Sequence, residues 1–190
     1  MNRKNLEEMT LEELWELFPI VLTPHNDHWE VWAMEEILSL KNFLEDKISA
    51  IYHIGSTAIK GIWAKPIIDI LIETENKNDL EDIKSRLTNS GYICMNQSEN
   101  RISFNKGYTS DGYAERVFHL HLRIKGDNDE IYFREYLNDH PDIAKEYEQL
   151  KLSLWNKFEH DRDGYTDAKT GFVKFYTLKA KKGLGLIKEI

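Results

Sequence analysis

The 190-residue sequence predicts an α+β domain with a central sheet of four or five strands and helices packed mainly on one face. Three observations lead there. Short β-branched runs, above all Ile51-Tyr52-His53-Ile54 and Ile67-Ile68-Asp69-Ile70-Leu71-Ile72, have strand character. Around them lie segments with apolar residues at helical spacing, the longest near the C-terminal end. Hydrophobic residues make up 41% of the chain and aromatics 12%, enough for one sizeable core.

In order along the chain, Thr10 with Glu13 three residues on is a capping box that opens a short helix through Leu17. Pro19 to Pro24 is an extended bridge. From His28 to Asp46, Trp29, Trp32, Ala33, Ile37, Leu40, Phe43 and Leu44 recur at helical spacing, a stripe for the core or for a partner surface. Ser49 to Ile54 and Pro66 to Thr74 are strands, and Asn78 to Asn89 is a helix stopped by Gly91. Tyr92 to Met95 and Arg101 to Asn105 are short strands, Gly107 to Gly112 a loop, and Arg116 to Lys125 a further strand ending in the turn at Gly126. Glu130 to Asn138 is helical. Pro141 opens a long helix to about His160, and the last helix spans Thr166 to Lys182. Residues 1–20 form a helical N-terminal extension to the main domain, 21–190.

Bulk chemistry narrows the function classes. A net charge of −8 argues against broad binding to a nucleic-acid backbone. Cys94 is the sole cysteine, so no intramolecular disulfide forms. The N-terminus lacks the apolar core of a signal peptide, and no apolar run approaches the ~20 residues that span a bilayer. These features lead us to expect a soluble cytoplasmic protein without membrane contacts.

The richest stretch is HIGSTAIKGIWAKPIIDILIE, His53 to Glu73. A strand ends in Gly55-Ser56-Thr57, where small residues free backbone N–H groups to meet an anion. Asp69 then sits in a strongly apolar strand, where an ionised carboxylate needs a cation or donor partner. The same pattern also fits a plain turn followed by an edge-facing Asp. Period two places Ile68, Ile70 and Ile72 on one face and Asp69, Leu71 and Glu73 on the other. In the later strand His119, His121 and Arg123 share a face, so neighbouring strands would gather Asp69 and both histidines.

HIGSTAIKGIWAKPIIDI, FHLHLRI (Phe118 to Ile124), YFREYLNDHPDIAKEYEQLK (Tyr132 to Lys151) and YTDAKTGFV (Tyr165 to Val173) closely resemble the motifs of the GrpB family, from about Val21 to Lys182. The resemblance implies a nucleotidyltransferase-like mixed sheet. In that fold group a Gly-Ser pair grips a triphosphate, and carboxylates on the next strand bind Mg²⁺. It also implies a link to coenzyme A synthesis, since the family occurs fused to dephospho-CoA kinase. Gly55 and Ser56 match the gripping pair and Asp69 the first carboxylate, but the second carboxylate position holds Leu71.

The resulting expectation is a nucleotide or other phosphorylated small molecule held by His53, Gly55, Ser56, Thr57, Lys65, Arg101 and Arg134. Asp69 and His121 are the candidate catalytic groups. Asp69, His119 and His121 are candidate ligands for a divalent metal, Mg²⁺ or Mn²⁺ ahead of Zn²⁺. Three activities are compatible: metal-assisted nucleotidyl or phosphoryl transfer, non-catalytic binding of a phosphometabolite, and metal-assisted hydrolysis. Tyr165 and Lys169, four residues apart on one helix, both face the sheet, where they either close over a substrate or pack the helix.

Overall fold

The computed structural model describes residues 4–187. Among the described residues five strands form one sheet: β1 (Ala50–Ile54), β2 (Ile68–Thr74), β3 (Ile93–Gln97), β4 (Arg101–Thr109) and β5 (Gly112–Ile124). Their order is β1-β2-β5-β4-β3. Only the central β2–β5 pair is parallel; the other three pairs are antiparallel. Six α-helices accompany them: α1 (Leu11–Leu17), α2 (His28–Leu44), α3 (Asp79–Asn89), α4 (Asp129–Asp139), α5 (Pro141–Trp155) and α6 (Arg162–Gly183). This is the mixed α+β sheet that the strand and helix patterns predict.

The main core lies between one sheet face and α2 with α3. Trp29, Ala33, Leu40 and Leu44 from α2 and Leu80, Ile83 and Leu87 from α3 bury against Ile68, Ile70, Ile72, Phe104, Leu120 and Leu122. Alternation along β2 therefore commits its isoleucines to this core and turns Asp69 to the opposite side. A second cluster joins α4 and α5 to the segment after β1 through Ile59, Ile62, Phe133, Leu137 and Tyr147. A third seats Tyr165 of α6 on Ile20 and Leu22. No helix among the described residues is long and apolar enough to cross a membrane.

Three segments differ from expectation. Gly107 to Gly112 is not a loop: β4 runs through it to Thr109, and β5 starts at Gly112. Gly107 adopts φ +89° at a register shift in β4, and a Cβ there would lie 2.3 Å from the Arg116 carbonyl oxygen. It is a bulge residue whose glycine mimics a turn signal. The helix opened by Pro141 ends at Trp155, short of His160. The last helix begins at Arg162, four residues early, because the Asp161 carboxylate accepts the Gly164 N–H at 2.8 Å and caps it.

Candidate functional site

The β2–β5 register sets Asp69 beside His119, and both histidines of β5 turn toward the Asp69 carboxylate. His119 Nδ1 and His121 Nε2 each stand 3.3 Å from Asp69 Oδ1. The surrounding donors fix the tautomers. Arg123 Nη2, which can only donate, lies 3.5 Å from His121 Nδ1, so the His121 proton sits on Nε2 and points to Asp69. The Tyr108 hydroxyl lies 2.7 Å from His119 Nε2 and itself accepts from Arg162 Nη2 at 2.9 Å. His119 Nδ1–H therefore addresses the carboxylate. Two relays, Arg162–Tyr108–His119 and Arg123–His121, converge on one oxygen.

Burial alone would raise the Asp69 carboxyl, but the hydrogen bonds from His119 and His121 hold it well below the usual carboxylate range. Burial pushes the His119 imidazole down more than Asp69 lifts it, so His119 is a neutral donor at pH 7. Gly55 leaves room for the other carboxylate oxygen: at φ +73°, a Cβ on it would come within 2.3 Å of Asp69 Oδ2. Burial pushes the Tyr147 phenol up to about 12, and the neighbouring Ser56 offsets part of that rise.

Asp69, Ser56 and His119 line a cavity of about 1010 Å³. Four basic side chains also line it: Lys65, Lys151, Lys169 and Arg162. Lys65 is aimed there by its neighbour Ala64, which exchanges both backbone hydrogen bonds with Thr23 (2.9 and 3.0 Å). Lys151 is only 2% exposed; its ammonium donates to the Trp63 carbonyl and lies 4.9 Å from the Tyr147 ring centroid. The Tyr165 ring carries Lys65 Nζ at 5.3 Å and Lys169 Nζ at 4.6 Å from its centroid. Burial, with Lys169 and Arg162 nearby, pushes the Lys65 amine down to about 7. Burial, with Lys169 nearby, brings Lys151 down to about 7 as well. The Tyr165 hydroxyl is buried without a hydrogen-bond partner. Glu7 and Asp163 line the cavity from exposed positions.

The remaining sequence-selected residues have other partners. His53 Nε2 lies 2.9 Å from Thr57 Oγ1, which donates to the Ile67 carbonyl at 3.3 Å. His53 and Thr57 thus brace the Gly55-Ser56 turn against the start of β2 rather than lining the cavity. Burial, reinforced by Arg134, brings His53 down to about 4 despite the opposing pull of Asp69, so it is neutral at pH 7. Arg134 donates to the His53 carbonyl and pairs with Glu135. Arg101 binds Asp127 through two hydrogen bonds of 2.6 and 2.5 Å, opposite Arg123 in the β4–β5 register and four positions from Asn105. Neither arginine lines the cavity. His121 contacts Asp69 but is also outside the lining.

A histidine-ligated metal centre or a two-metal site does not fit these donors. The imidazole nitrogens nearest Asp69 carry protons aimed at its carboxylate, Leu71 is fully buried, and Glu73 accepts from Gly126 N at 2.7 Å and Asn128 Nδ2 at 3.1 Å. No group of three or more His, Cys, Asp or Glu side chains among the described residues is arranged to hold a metal ion. A single hard cation shared between one carboxylate and a ligand's phosphates makes no such demand, and Asp69 fits it.

Sequence reasoning missed Lys151, Arg162 and Tyr108. Lys151 had a signal: with Ala144, Tyr147 and Glu148 it falls on the buried stripe of α5, where a lysine needs a reason to be. Tyr108 was hidden in the apparent loop, and Arg162 has no periodic context.

The GrpB protein family matches residues 19–179. Glutamate-rich protein GrpB of Alkalihalophilus pseudofirmus is 37% identical over 160 residues, covering 81% of this chain and 91% of the relative. The UPF0157 protein YqkA of Bacillus subtilis is 32% identical over 178 residues, covering 90% of this chain and 51% of that protein. The crystal structure of conserved protein GrpB from Enterococcus faecalis superposes with a TM-score of 0.75 at 28% identity, covering 86% of this chain and 99% of that one. The chain belongs to the GrpB family.

Proposed function

We infer that the cavity binds a nucleotide or another phosphorylated small molecule, with its phosphates among Ser56, Lys65, Lys151, Lys169 and Arg162. One observation carries this reading: in a chain of net charge −8, four basic side chains converge on a single cavity. Bringing like charges together in a partly desolvated space raises the energy of the protein, and a polyanion offsets that cost. Asp69, held ionised by two histidine donors, then faces the anion as a fixed negative group. Such a carboxylate orients a hydroxyl nucleophile or shares one Mg²⁺ or Mn²⁺ with the phosphates, where the ion would neutralise charge. His119 and His121 hold Asp69 in position, while Lys65 and Lys169 meet negative charge that develops on the phosphate. Nucleotidyl or phosphoryl transfer is the activity that this placement supports, in keeping with the nucleotidyltransferase-like sheet that the family resemblance implies.

The test is thermal unfolding against nucleoside tri- and diphosphates and coenzyme A precursors, with and without Mg²⁺, Mn²⁺ or Zn²⁺. A ligand at a hundred times its Kd adds about 2.7 kcal/mol, roughly 5–10 °C for a domain of this size. The shift should be lost in Lys65→Ala and Lys169→Ala. Dependence on Mg²⁺ that disappears in Asp69→Ala supports transfer chemistry; a metal-independent shift that survives Asp69→Ala supports a binding module. No shift with any ligand refutes the reading.

A further inference from the structure

Lys65, Lys151 and Lys169 gather about the Tyr147 and Tyr165 rings. The rest of the lining is richer in apolar side chains: Leu14 and Trp15 of α1 and Phe18 beyond it, with Ile93 and Met95 of β3, beside the polar Asn5 and Glu7. The two regions are joined by one row of the sheet. Asp69 pairs with His119, His119 with Asn105, and Asn105 with Ile93, and all four line the cavity. Cross-strand partners present their side chains on the same face, so this row is the cavity floor. Three strand spacings of ~4.8 Å make it about 14 Å from Asp69 to Ile93.

The apolar wall is unusual in how it is held. No residue of α1 is buried, and its capping box of Thr10 and Glu13 satisfies the helix locally. The segment is tied down through main-chain oxygens: Tyr113 Oη donates to Phe18 O at 3.3 Å, and His160 Nδ1 lies 3.4 Å from Trp15 O. The Leu14 and Trp15 side chains are thereby left for the cavity instead of the core. Ile93 and Met95 across from them are 44% and 58% exposed. A small phosphorylated sugar or acid would fill the basic end and leave this apolar end wet.

We propose that the apolar end, between α1 and β3, is a slot for the nucleobase of a nucleotide whose phosphates lie among the lysines. This rests on the phosphate reading above and narrows its ligand class. The length and volume suit an extended nucleotide, and Trp15 supplies the aromatic face on which a base of any sequence stacks. The family match begins at Pro19, so Leu14 and Trp15 lie outside the matched region.

The experiment is titration calorimetry of the full chain with tripolyphosphate and, singly, with ATP, GTP, CTP and UTP, all with Mg²⁺. Trp15→Ala and Met95→Gln are run beside the parent after circular dichroism confirms their folding. At least one nucleotide should bind about tenfold more tightly than tripolyphosphate, and both variants should lose that excess while their tripolyphosphate affinity is unchanged. Equal binding of tripolyphosphate and all four nucleotides overturns the base slot and leaves the phosphate reading intact. An excess that survives both substitutions also overturns it. If neither tripolyphosphate nor any nucleotide binds, the phosphate reading fails and the slot falls with it.

Discussion

Gly55→Ala tests the close approach on which the site is built. Two separate penalties apply. The first is conformational: φ +73° with ψ −171° is a region essentially reserved for glycine, and a Cβ there costs about 1–3 kcal/mol. The second is steric, since the new methyl would lie 2.3 Å from Asp69 Oδ2 and 2.9 Å from Asp69 Cβ. Because the carboxylate is fixed through Oδ1 by two histidines, relief requires moving the main chain or breaking those bonds, about another 1–3 kcal/mol. Gly61 supplies the control: it has φ +70° with nothing within 4 Å of a built Cβ, so Gly61→Ala carries the conformational penalty alone. Urea unfolding should place Gly55→Ala about 2–6 kcal/mol below the parent and Gly61→Ala about 1–2 kcal/mol below it. Repeating Gly55→Ala in an Asp69→Ala background should remove the carboxylate part of its cost, leaving the 2.9 Å Cβ contact and the conformational penalty. Equal costs for the two glycines in the parent background would refute the claim that Gly55 exists to admit Asp69.

The lysines make anion binding depend on pH. Sulfate stays fully ionised across the range and is a suitable probe. Lys65 and Lys151 stand at about 7, and a bound anion stabilises their charged forms, so binding takes up protons. Sulfate affinity should be greatest below pH 7 and fall progressively above it; Lys65→Arg should flatten the profile, and a parent profile already flat from pH 6 to 9 would contradict the assignment. The arginines away from the cavity make the opposite prediction. Arg101→Ala removes a surface pair, with its side chain 57% exposed, and should cost no more than ~1 kcal/mol. Arg134→Ala strips a donor from the His53 carbonyl and should cost ~1–3 kcal/mol. Nucleotide-panel thermal shifts should be unchanged in both variants.

Much of the fold is legible in the sequence because period and capping act locally. Thr10 with Glu13, the stripe of α2 and the two faces of β2 are each set by neighbours within a turn or a strand. The pairing of β2 with β5 was open, since alternation gives the faces of a strand but not its neighbour; once that pair forms, Asp69 and both histidines meet. The roles of Arg101 and Arg134 were not legible. Their partners, Asp127 and the His53 carbonyl, lie 26 and 81 residues away in sequence, and an arginine at a motif looks alike whether it holds a phosphate or the chain. The apolar end of the cavity was equally hidden, because α1 reads as an ordinary capped helix and only its position over the sheet gives Trp15 a role.

The parallel β2–β5 pair has a kinetic consequence. Thr74 and Gly112 are separated by α3, β3 and β4, all of which must be traversed before β5 can lie beside β2. Closing so long a segment is entropically costly, and such contacts come late in folding. The carboxylate and its two histidine donors sit on opposite sides of that closure, so the site cannot assemble from any local fragment. Nor can it come apart without opening the middle of the sheet. Backbone amides of Ile70 and Leu120 are therefore expected to exchange with solvent only through global unfolding, whereas those of α1, which has no buried residue, exchange through local opening. The charged centre belongs to the slowest-exchanging part of the molecule and the apolar wall of the cavity to the fastest, a rigid floor beside a wall that opens without disturbing it.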